Sequence, residues 1–96
     1  MGTQFGDRIK QLREQGQLLQ RQVAAMLEID TPMLSKIERG ERVAKKEMVP
    51  LIAEILNGDK DELLTLWLAD QLFTVIEGEP LASEALKIVT KQINRN

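Results

Sequence analysis

Residues 20–40, QRQVAAMLEIDTPMLSKIERG, constrain the fold more than any other stretch. They hold two short amphipathic runs with only a tight turn, Glu28 to Asp30, between them. Val23, Ala24 and Leu27 share one helical face of the first run (20–28), and Leu34 and Ile37 share one face of the second (31–39). Asp30 stands where a helix wants a capping side chain. A helix needs one buried stripe. In TPMLSKIERGERVAKK, residues 31–46, the positions off that stripe carry hydroxyls, lysines and arginines, so the second face needs a purpose of its own.

The rest of the chain reads as helix throughout. Phe5, Ile9 and Leu12 mark a helix over about residues 4–15, and Met48, Leu51, Ile52, Ile55 and Leu56 mark another over about 46–57, with Pro50 in its first turn, where a missing N–H is tolerated. A fifth is expected over 60–77 and a sixth over 80–94, beginning at Pro80 and carrying Leu81, Ala85, Leu86, Ile88, Val89 and Ile93. Gly16, Gly40, Gly58 and Gly78 each follow a helical pattern, where a left-handed residue ends a helix. No strand-like alternation is present. The expected class is all-α: five helices forming a domain over residues 1–64, with helical extension and an extra C-terminal helix over 65–96.

Cysteine and histidine are both absent, which removes disulfides, most transition-metal sites and most general-base or nucleophilic chemistry. DKDE at 59–62 lacks the glycine and terminal glutamate of a calcium loop, and reads as the acidic first turn of the fifth helix. No cofactor is expected, nor an enzyme. No apolar run approaches a membrane span, and neither a secretory nor a myristoylation pattern opens the chain, so a cytoplasmic protein is expected. The formal net charge of −2 is unevenly divided. Residues 1–46 hold nine Lys/Arg against six Asp/Glu, whereas residues 47–96 hold four against nine. An anionic partner should therefore meet the first half.

Two short helices across a tight turn have the spacing of a helix-turn-helix. The run LLQRQVAAMLEIDTPMLSKIERGER resembles the signature of the Xre/Cro/phage-repressor family, with the flanking helices in register over about residues 5–64. The second helix then enters the major groove of double-stranded DNA, which admits an α-helix. With Leu34 and Ile37 inside, Thr31, Pro32, Ser35 and Lys36 project toward base edges. The resemblance implies that Gln20 holds a phosphate at the start of its helix. Arg39, Arg42, Lys45 and Lys46 follow as backbone contacts; the last two stand at the start of the fourth helix, where its dipole disfavours cations unless an external phosphate is present. The resemblance also implies an ion pair between Arg13 and Glu38, both on inward stripes.

Three positions depart from the family pattern. Leu19 stands where Ser or Thr caps the first helix of the pair. Glu28 occupies the usual turn glycine, which either costs about 1–2 kcal/mol in a left-handed conformation or changes the turn. Thr31, Pro32 and Met33 lack the long side chains that make paired base contacts, which places weight on DNA shape or on Arg42 in the minor groove.

The apolar positions of LLTLWLADQLFTVI spread around more than one face. Trp67, Leu68, Leu72, Phe73, Val75 and Ile76, with Leu66, exceed what a small domain can cover, and a homodimer interface is expected there. The expected function is a homodimeric repressor that binds a pseudo-palindromic operator, its own promoter included. The alternatives are an antitoxin with a toxin as protein partner, and a restriction–modification controller.

Overall fold

The computed structural model describes residues 2–95 as six helices: α1 (Gln4–Gln15), α2 (Gln20–Leu27), α3 (Thr31–Glu38), α4 (Met48–Ile55), α5 (Lys60–Ile76) and α6 (Ala82–Asn94). No strand occurs among the described residues. α1 packs on α3 and α5, α2 on α3 and α4, and α4 on α5. Their common core centres on Ile9, Val23, Leu34, Ile37, Val49, Ile52 and Leu63, none more than 1% exposed. Phe5, Leu12 and Ala24 complete the stripes expected of α1 and α2, with Leu27 half-buried.

α4 differs from its expected form. It starts at Met48, and it buries Val49, Ile52 and Ala53, followed by Leu56. Leu51 is 53% exposed. Of the expected stripe, Ile52 and Leu56 are buried and Met48 and Ile55 half-buried against the core, so Leu51 alone falls outside it, and Val49 and Ala53 are buried beside it. Two helix ends also differ. Gly40 and Gly78 take positive φ as expected, but Gln17 and Asn57 adopt it in place of Gly16 and Gly58.

Gly6 serves close approach. A Cβ there would lie 2.6 Å from the Glu38 carbonyl oxygen and 2.7 Å from that of Ile37. Both are backbone atoms, so only glycine lets α1 cross the end of α3 at this distance.

The boundary expected at residue 64 falls inside the unbroken α5. Beyond it, Trp67 packs against the core and its indole N–H donates to the Ala44 carbonyl at 2.8 Å. One turn on, the Asp70 carboxylate accepts the backbone N–H groups of Gln4 (2.9 Å) and Phe5 (2.8 Å), fastening the first turn of α1. Trp67 is thus half-buried against the domain core, and Ile76 is half-buried as well. Leu68, Leu72, Phe73 and Val75 are 50–77% exposed.

α6 buries no residue and packs broadly against no other helix. The radius of gyration is 15.0 Å, against about 12.5 Å for a compact domain of this length.

Candidate nucleic-acid interface

The orientation of α3 is set at both ends. At its start, the Asp30 carboxylate accepts the Met33 N–H at 2.7 Å, and Pro32 stands in the first turn, where no N–H is required. At its end, Glu38 is 3% exposed and its carboxylate accepts three hydrogen bonds. Two come from Arg13, Nε at 2.7 Å and Nη2 at 3.1 Å, and the third from Gln20 Nε2 at 3.0 Å. Arg13 spends a further donor, Nη1, on the Leu18 carbonyl at 2.9 Å. The hydrogen bond to Glu38 raises the Arg13 pKa further above its ordinary value. One carboxylate thus ties α1, the start of α2 and the end of α3 together, with no unsatisfied buried side-chain polar atom among the described residues.

This arrangement changes the expectation for Gln20. Its side chain turns inward to Glu38, leaving the second amide proton for any phosphate. The Leu19 departure is also resolved. Leu19 has no oxygen with which to cap α2; instead the Gln22 side chain reaches back and accepts the Leu19 N–H at 2.8 Å. Glu28 takes the left-handed conformation itself, φ 58° and ψ 39°. The turn keeps its geometry, and Glu28 bears the strain.

On the outward side of α3, Pro32 and Lys36 are exposed and Thr31 and Ser35 half-buried. All four lie on one side of the helix, opposite Leu34 and Ile37. The Ser35 hydroxyl accepts a hydrogen bond from Arg39 Nη1. Arg39 also pairs with Glu41 at 2.7 Å, and both partners are more than half exposed. That hydrogen bond raises the Arg39 pKa and holds the Glu41 carboxyl below its ordinary range. So exposed a pair opens readily, and Arg39 can exchange Glu41 for a phosphate.

Arg42, Lys45 and Lys46 are exposed on the segment between α3 and α4. Lys45 and Lys46 precede α4 rather than forming its first turn. Their carbonyls accept the N–H groups of Met48 (2.9 Å) and Val49 (3.1 Å), so both side chains stand on the turn leading into the helix. The segment is anchored midway by Ala44, 2% exposed and held through its carbonyl by Trp67.

Sequence reasoning gave Trp67 a different place and passed over Asp70 and Lys10. Trp67 and Asp70 work through tertiary hydrogen bonds, and their only sequence signal is polar capacity within an apolar run. Lys10, exposed on α1, lines an open groove with Gln20, Ser35, Glu38, Arg39 and Glu41. No cluster of metal-ligating residues occurs among the described residues, and no helix is long and apolar enough to cross a membrane.

A family model described as helix-turn-helix matches residues 9–63, more than half of the chain. The match begins within α1 and ends within α5, so it encloses α2, α3 and α4 whole. No curated protein and no solved structure matches.

Proposed function

Because the chain belongs to the helix-turn-helix family of DNA-binding transcriptional regulators, of the Xre type, we propose that it is a homodimeric repressor of a pseudo-palindromic operator that includes its own promoter. Thr31, Pro32, Ser35 and Lys36 face base edges. Gln20, Arg39, Arg42, Lys45 and Lys46 hold phosphates, joined by Lys10. The observation that carries this reading is the rigid placement of α3: a polar, basic face held outward by a buried carboxylate at one end and a capped start at the other.

The dimer reading is supported by the apolar surface of the C-terminal half. Leu68, Leu72, Phe73 and Val75 on α5, with Leu81, Leu86, Ile88, Val89 and Ile93 beyond it, are each at least 38% exposed. Together they offer on the order of 1,000 Å² of apolar surface, where a standard interface buries about 800 Å² per partner. Repression follows from occupancy: a dimer across two major grooves about 34 Å apart excludes polymerase.

Selection from random duplexes tests this reading. The expected product is an inverted repeat with half-site centres one or an integral number of helical turns apart. Enrichment of a single unrepeated half-site, or of no sequence, would contradict it.

A further inference from the structure

We propose that Trp67 is a positioning residue for DNA binding: its indole N–H fixes the segment from which Arg42, Lys45 and Lys46 reach phosphates. This role rests on the phosphate reading above, and it brings in a residue beyond 9–63, the stretch that the family model matches.

Residues 39–47 join α3 to α4 without a helix of their own. The helices hold both ends of this segment. The Glu41 N–H donates to the Lys36 carbonyl at 2.8 Å, and the Lys45 and Lys46 carbonyls accept from the N–H groups of Met48 and Val49. The middle depends on α5. Among the described residues, the backbone of Arg42, Val43 and Ala44 makes a single hydrogen bond, from Trp67 Nε1 to the Ala44 carbonyl at 2.8 Å. Ala44 is also the only buried residue from Arg39 to Glu47; Arg42, Val43, Lys45 and Lys46 are all exposed. One buried methyl group covers little apolar area and gives no direction. The hydrogen bond supplies the direction: it sets which way the Ala44 peptide faces, and so how the side chains at 42, 45 and 46 leave the surface.

The donor is itself fixed. Trp67 follows the fully buried Leu63 by one turn of α5, and it packs against the core beside Leu64 and Leu66. Arg42, Val43 and Ala44 line a recess together with the indole, Gln71 and Thr74. The segment is therefore ordered on folding, and its ordering cost is absent when DNA arrives. An anchor of this kind acts on affinity and not on sequence. Once bound, the three cations reach their phosphates with or without it, so the number of counterions released stays the same.

Trp67 is the only tryptophan of the chain. Supplying the benzothienyl analogue of tryptophan in its place puts sulfur where the N–H stands and keeps the fused ring. A fluorotryptophan, which keeps the N–H, is the control. Labelled upstream and scrambled duplexes are titrated with each chain by anisotropy at several salt concentrations. Loss of one hydrogen bond should weaken binding about two- to tenfold, equally for both duplexes and with an unchanged salt slope. The fluorinated chain should bind as the parent does. In a chain that also carries Arg42→Ala, Lys45→Ala and Lys46→Ala, titrated at low salt, the benzothienyl replacement should have no effect.

Equal binding by the benzothienyl and parent chains overturns the proposal and leaves the phosphate reading standing. A loss that persists without the three cations also overturns it, because the loss then comes from fold stability or association of copies. An equal loss in the fluorinated chain does the same, since the N–H is then not its cause. A parent chain that binds no duplex overturns the phosphate reading and this role together.

Discussion

Replacing Glu38 by alanine removes the acceptor for three hydrogen bonds and leaves Arg13, whose side chain is only 11% exposed, with the Leu18 carbonyl alone. Breaking a buried ion pair from one side costs about 3–5 kcal/mol, chiefly because an uncompensated charge stays inside. Arg13 keeps one partner and some solvent, so the low end applies: about 3 kcal/mol. At 4–8 °C per kcal/mol for a domain of this size, Tm should fall by about 12–24 °C. Urea unfolding followed by the fluorescence of Trp67, at one fixed protein concentration because a dimer's stability depends on it, gives the free energy directly. A second variant separates the charge from the packing. Arg13→Met with Glu38→Leu removes both charges and should cost less than Glu38→Ala alone, since no charge is left unpaired, although the Leu18 carbonyl and the Gln20 amide each lose a partner. A Glu38→Ala chain within about 0.5 kcal/mol of the parent would refute the claim that this carboxylate holds α3 in place.

Glu28→Gly should stabilise the chain by about 1 kcal/mol by relieving the left-handed φ, and an unchanged urea midpoint would show that the turn is unstrained. Gly6→Ala should destabilise by about 1–3 kcal/mol, because its methyl group meets the Ile37 and Glu38 carbonyls; calorimetry at matched concentration measures it. Lys46→Ala should weaken binding to all duplexes alike and reduce the salt slope by about one, read from anisotropy titrations at several ionic strengths.

Much of this organisation is legible in the sequence because it is local. The stripes of α1, α2 and α3 follow from 3.6-residue spacing, and the Asp30 cap follows from its position before Thr31. Arg13 and Glu38 lie on inward stripes four residues after Ile9 and Leu34, and their pairing came through family resemblance. What stayed hidden depends on contacts across the chain. Asp70 reads as a stray carboxylate until α5 lies beside the start of α1, 65 residues away. Trp67 reads as surplus apolar area until the indole meets Ala44. In α4 the neighbours decide that Val49 is inside and Leu51 outside. Likewise Gly16 and Gln17 compete for the end of α1, and the backbone gives the left-handed position to Gln17.

The central claim is that the outward face of α3 reads DNA, and fluorescence anisotropy tests it most directly. The parent chain and Thr31→Ala are titrated against the duplex upstream of the gene and a scrambled duplex, at two salt concentrations. The parent should bind the upstream duplex tighter by a factor of about 10³ or more, and Thr31→Ala should lose part of that ratio. Equal, steeply salt-dependent binding to both duplexes by the parent would contradict it, leaving the basic face as an anchor without sequence readout.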